Sequence, residues 1–385
     1  ITLLFLASPA FAATKWVSPT GAAVWANCGG ETPLSGTAAC SLSTANSNAA
    51  AGDVVNLRDG IYTTMICPSN SGISGNIITF QKYSTETPVI GNTSPWYTNR
   101  QAGLMINGKS YIKIDGIKFD VSLFTQPGEN NSILINQSAH HIEIPNCTVN
   151  GAPSNTKMQT YQSTHLWIHH NLFTDLGQIY QCDDSVTGLQ LGAPAYADVD
   201  EYHTVENNTF AYGGHHNIET FTYRNVIRNN YFHNEGWIAN PGGCTYTPDA
   251  NNKYGNRNIQ ICGLTIKNTF NLVEGNRFGH SGPPPDDDGG DGFTLTGPKN
   301  IIRYNAIFNS QNNGILMKIG SPDHYPNNNR VYNNTIYKSG VYQNTPQWQG
   351  LNLRWYISSG VYGTGNVIKN NIFYKKCCSP AIFHE

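Results

Sequence analysis

The chain has 385 residues, enough for a large core, yet only 12% are charged and the net charge is −2. That leaves no basic field for nucleic acid and no acidic tail.

Residues 1–13, ITLLFLASPAFAA, form an apolar run ending in the small-residue pattern Ala10-Phe11-Ala12, as at the end of a secretory leader. About a dozen residues is too short to cross a bilayer, and no other segment approaches that length, so no membrane association is expected. Nine Cys in an exported chain favour disulfides. Cys28 and Cys40 close a short loop and are the expected pair. Cys182 and Cys244, in long insertions, are a second candidate; the adjacent Cys377 and Cys378 leave the remaining connectivity open. None has a zinc spacing. Small residues from Leu42 to Ala51 suggest a short capping helix at an open end. Segments 52–64 (GDVVNLRDGIYTT), 77–83 (IITFQKY), 104–108 (LMING), 111–119 (YIKIDGIKF) and 133–137 (ILINQ) then alternate apolar and polar residues, as strands with one buried face should.

From residue 168 a phrase recurs seven times: a β-branched aliphatic, two variable residues, Asn, one residue, then Phe or Ile. The Asn are 171, 208, 230, 276, 305, 334 and 371, spaced 37, 22, 46, 29, 29 and 37 residues apart. No helix period yields that spacing. A solenoid coil with a fixed strand–turn–strand unit and loops of variable length does, and its neighbours must stack to bury the apolar face. The Asn is expected in the turn, in αL geometry, with its amides hydrogen-bonding along the stack. Each coil reads as two strands. The first strands are 188–192 (GLQLG), 217–221 (NIETF), 292–296 (GFTLT), 314–318 (GILMK) and 350–354 (GLNLR); the second carry the Asn phrase. Residues 244–257 read as a long loop. The expected fold is all-β, a single-stranded right-handed parallel β-helix over 14–385, in one domain, with the chain stopping inside the solenoid. Of the 21 Tyr and 7 Trp, most should fill the interior, while those left outside suit sugar stacking.

The runs GDVVNLRDGIY, SGNIITFQKY, TPVIGN and YIKIDGIKF resemble the N-terminal coils of secreted pectate-lyase-like β-helix proteins, among them chondroitinase B, alginate lyases and family 9 pectate lyases. With the Asn phrase, the resemblance covers nearly the whole chain after residue 13. It implies a fold more than a reaction, because the same coil hosts lyases, hydrolases and non-enzymes.

Aligning the first strands on their Gly gives an outward column of Gly192, Glu219, Thr296, Lys318 and Arg354, with one unaligned coil between Glu219 and Thr296. Lys318 and Arg354 are then neighbours about 4.8 Å apart. Adjacent cations disfavour each other's charge. A Lys so placed suits abstraction of the proton α to a uronate carboxylate, which an Arg can hold bidentately. Asp287-Asp288-Gly289-Gly290-Asp291 has the spacing of the calcium cluster in family 9 pectate lyases, and the resemblance implies these three Asp as Ca²⁺ ligands. Carboxylates on a Gly-flexed loop can supply the oxygens that Ca²⁺ takes. Lys318 sits in a Gly-rich setting like that of the family's base lysine, with one extra residue after Gly314. Glu219 stands in weakly for an upstream acidic ligand, and His216, beside His215 at a strand start, could line the groove.

The expected activity is therefore calcium-assisted β-elimination on an acidic polysaccharide by a secreted, monomeric lyase. Two alternatives stay open. Asp183, Asp184 and His215 faintly resemble the acid and His signatures of polygalacturonase-type hydrolases, although the Asn-Thr-Asp of that family is Asn155-Thr156-Lys157 here. A non-catalytic glycan-binding solenoid is the other.

Overall fold

The computed structural model describes residues 13–91, 93–126, 130–150, 157–174, 187–193, 201–211, 216–235, 257–261, 269–281, 291–310, 313–318, 325–339, 351–354, 363–374 and 382–384. Among the described residues the strands form three parallel sheets, of 12, 11 and 10 strands, and from Ala102 onward the turns of the chain cross all three. Sheet A runs from Thr14–Val17 to Val367–Lys369, sheet B from Gly60–Tyr62 to Ile372–Tyr374, and sheet C from Ala102–Asn107 to Ile382–His384. This is the expected parallel β-helix.

A coil has three strands rather than two. The Asn phrase is itself a pair of three-residue strands meeting at a corner, such as Val226–Arg228 in sheet A and the start of Tyr231–Glu235 in sheet B. The central residue of each points inward, as the two-residue side-chain period requires. Ile227, Phe232, Val273, Phe278, Ile302 and Ile307 are all buried. The phrase's Phe side chains stack inside sheet B, with Phe173, Phe210, Phe232 and Phe278 separated by 4.6, 5.0 and 4.8 Å between ring centroids. The segment 111–119 divides in the same way, at Gly116 (φ 71°), into Ser110–Asp115 and Lys118–Asp120. The coil that resisted alignment supplies Arg257–Ile261, which starts at the last residue of the stretch 244–257 that reads as loop.

The phrase's Asn does form a ladder, but it does not carry the αL conformation. Positive φ falls one residue earlier, on His170, Asn207, Asn229, Gly275, Tyr304, Asn333 and Asn370. That bend frees the following Asn to turn inward. In the ladder, the backbone N–H and Nδ2 of Asn230 both donate to Oδ1 of Asn276, at 2.9 and 3.0 Å. Asn276 in turn donates its backbone N–H and one Nδ2 proton to Oδ1 of Asn305, both at 3.0 Å, and its other Nδ2 proton to the Ile227 carbonyl at 2.9 Å. The pattern repeats from Asn171 to Asn371. One rung before it, Cys147 takes the same slot, its N–H donating to Oδ1 of Asn171. Burial pushes that thiol up to about 12, so it behaves as a small packed side chain.

A second ladder runs five residues before the first: Asn225, Asn271, Asn300, Asn329 and Asn366 bond successively through backbone N–H to Oδ1. The stretch from the second ladder through the corner to sheet B is thus constant in length. All variation in Asn spacing lies in the connections that enter and leave sheet C.

At the N-terminal end, the helix Leu42–Asn48 covers the open barrel, capped by Ser41, whose Oγ accepts from the Thr44 N–H at 3.1 Å. Leu42 and Ala45 pack into the core beside the Cys28–Cys40 disulfide. Residues 1–12, Cys182, Cys244, Cys377 and Cys378 lie outside the described residues.

Asn276→Ala would strand the Asn230 N–H and Nδ2 and the Ile227 carbonyl in a dry interior, each costing about 1–3 kcal/mol. Urea unfolding should show a loss of about 3 kcal/mol or more, against under about 1 kcal/mol for Asn333→Gly at its half-buried αL corner position. A loss at position 276 no larger than at 333 would mean the ladder is not what holds the coils together.

Candidate active site

Sheet C is where the chain departs from its own regularity, and its outer face differs from the other two. Inward, Leu189, Ile218, Phe293, Ile315 and Leu351 are buried, level with one another through Ile259. One residue on, the outward column reads Leu134, Gln159, Gln190, Glu219, Gln260, Thr294, Leu316 and Asn352. Although alternation turns them away from the core, Leu134, Gln159, Gln190, Thr294 and Leu316 are buried as well. Some outward residues of sheets A and B, such as Trp167, Val367, Leu172 and Ile372, are exposed, while others, such as His169 and Glu206, are buried. The outer face of sheet C is sheltered along this column, the kind of environment in which fixed charges act strongly.

Lys318 and Arg354 are register partners on adjacent strands, Ile315–Lys318 and Leu351–Arg354. Lys318 is half-buried. Alternation from the buried Met317 turns it outward, two residues beyond Leu316.

Glu219 does not share that column. It pairs with Gln190 and Gln260, two residues short of the Lys318 position. Its strand carries Asn217 at the level where the Gly-led strands have Gly188, Gly292 and Gly314, so the residue level with Lys318 is Phe221 and not Glu219. Its strand also lies three rungs from that of Lys318, about 14 Å along the axis. His216, buried at the start of the same strand, pairs with Thr187 and Arg257.

Asp291 lies at the opposite edge of sheet C from Lys318. Its Oδ1 accepts from the backbone N–H and Nδ2 of Asn313, at 3.0 and 2.8 Å, and its Oδ2 from the Thr294 hydroxyl at 3.2 Å. Five residues of extended chain separate Asn313 from Lys318, about 16 Å. The carboxylate is thus built into the strand entry, in the role the ladder Asn play at the other corners. Among the described residues, no group of three or more His, Cys, Asp or Glu converges as metal ligands do. Asp291 with these partners does not by itself fit a Ca²⁺ site; Asp287 and Asp288 lie outside the described residues, as do Asp183, Asp184 and His215.

The second Asn ladder was missed by sequence reading although its signal is plain: an Asn five residues before each phrase Asn from 230 onward.

No family model matches the chain. Over 112 residues, 29% of this chain, it is 31% identical to the uncharacterized protein YwoF of Bacillus subtilis, and the match spans about a quarter of that protein's length (24%). Solved structures match across most of the fold. A lacto-N-biosidase from Eubacterium ramulus superposes with a TM-score of 0.59 at 12% identity, over 94% of this chain and 68% of that one. A rhamnogalacturonan lyase gives 0.53 at 12% identity, over 93% and 87%. An alginate lyase from Paenibacillus gives 0.50 at 14% identity, over 86% and 97%. At these identities the likeness establishes architecture: the chain has a parallel β-helix fold like theirs.

Proposed function

We propose that the protein is a polysaccharide lyase that cleaves a uronate-containing glycan by β-elimination. The observation that carries this reading is the pairing of Lys318 with Arg354 on the sheltered face of sheet C. Arg354 would hold the sugar carboxylate and disperse the charge that builds on it. Neutral Lys318 would take the proton from the carbon α to that carboxylate. The electron pair left behind forms the ring double bond, the β C–O bond breaks, and the leaving oxygen takes up a proton. Glu219, further along the sheet, would contact sugars away from the bond being cut; His216, buried two residues before the inward Ile218, is no part of the groove. Two of the structural neighbours named above are lyases, which supports the reaction class; the leader-like residues 1–13 support an extracellular site of action.

If a divalent cation takes part, the acidic loop 287–291 is its place, with Asp287 and Asp288 as ligands and Asp291 offering Oδ2 beside its structural bonds. When bound there, Ca²⁺ would neutralise substrate carboxylates.

Incubation with polygalacturonate, alginate or chondroitin should raise ultraviolet absorbance as unsaturated uronate forms. Lys318→Ala should cut that rate roughly 10²–10⁴-fold with unchanged circular dichroism, and a rate within threefold of wild type would remove Lys318 from the chemistry. New reducing ends without absorbance would mean hydrolysis instead. Chelation should slow the reaction at least tenfold, with recovery on adding Ca²⁺; an unchanged rate would take the ion out of the account.

A further inference from the structure

The near-neutral total hides a strong polarity along the solenoid axis. Residues 291–385 hold nine Lys and Arg against three Asp and Glu, a net +6, while residues 1–290 hold 14 against 22, a net −8. On the outer face of sheet A this polarity becomes a broken pattern. Successive rungs present Glu206, Arg228, Glu274 and Arg303 at one register position. They pair as Glu206–Arg228 and Glu274–Arg303, both at 2.6 Å. The next two rungs should bring another acid and base. They bring Tyr332 and then Lys369.

Beside them stands Arg330, on the same strand as Tyr332. Among the described residues neither Arg330 nor Lys369 forms an ion pair. Arg330, Tyr332, Val367 and Lys369 line an open depression of about 410 Å³, within the range of small-ligand sites. Tyr332 is its fixed element: its hydroxyl accepts from Arg303 Nη1 at 3.2 Å, and Lys369 Nζ lies 5.8 Å from its ring centroid. Two exposed cations around a polar aromatic floor match a sugar bearing a planar carboxylate, which an Arg can grip with two parallel hydrogen bonds.

We propose that Arg330, Tyr332 and Lys369 form a second glycan subsite, on sheet A, that binds one carboxylated sugar of a polysaccharide away from the bond being cut. Its two strands follow Ile315–Lys318 and Leu351–Arg354 in the chain, so the subsite lies on the same turns as the sheet C cations, around one corner. Choosing a uronate as occupant rests on the lyase reading; the cationic depression does not. Substitution should weaken capture of long chains without slowing the chemical step.

The test compares wild type with Arg330→Ala/Lys369→Ala, both exposed positions, in the full chain. Binding to polygalacturonate, alginate, dextran sulfate and neutral dextran is measured by affinity electrophoresis at low salt, with kcat and KM on a polymeric uronate. Expected is a tenfold or greater loss of affinity for the polyuronates, no binding to dextran, and a raised KM at unchanged kcat. Polyuronate affinity within twofold of wild type would overturn the subsite, as would a wild-type protein that binds no polyuronate. Dextran sulfate held as tightly, and lost in parallel, would overturn the carboxylate assignment in favour of any polyanion. Binding lost on substitution in a protein without elimination activity would sink the lyase reading and leave the subsite standing.

Discussion

The structure depends on one buried side chain used over and over: an Asn whose amide makes every hydrogen bond it can. Its Oδ1 accepts two protons from the rung before, and its Nδ2 protons go to the next Asn and to a backbone carbonyl. A tight corner between two strands leaves backbone groups with no partner in its own coil, and orphaned polar groups are costly in a dry interior. The ladder satisfies them between coils, and so holds the sheet A and sheet B strands in register. Apolar stacking, above all the Phe column inside sheet B, then supplies the bulk of the burial.

Holding one corner invariant leaves the rest of each coil free to vary. Connections into and out of sheet C absorb every length change, and much of the outer face of that sheet is buried. A scaffold that repeats on two sides can differ on the third. The Lys318–Arg354 pair falls on the variable, sheltered side. The positive end of the axial charge gradient lies at the same turns, so long-range attraction and local chemistry act on one region.

The corner was legible in the sequence because its spacing cannot change: β-branched residue, Asn and Phe recur at fixed offsets whatever the loops do. Its conformational detail was not. The αL bend sits one residue before the Asn, on Asn or Gly in five rungs but on His170 and Tyr304 in two, so residue type carried only part of the signal. Strand starts in sheet C proved treacherous for the related reason that their connections vary. Aligning on Gly worked for Phe293, Ile315 and Leu351, which do pair, and failed for Glu219, whose strand begins at His216. Asp291 reads as a metal ligand by spacing, and its bonds to Asn313 and Thr294 give it a structural part at a strand entry that spacing does not show. That distinction needs three dimensions.

The most direct test of the account is a crystal structure of the Lys318→Ala protein soaked with a uronate oligosaccharide. The account predicts a sugar lying across the outer face of sheet C, its carboxylate on Arg354 and its α carbon facing the space left by the lysine. A sugar bound only on sheet A or sheet B, with the sheet C face empty, would contradict it.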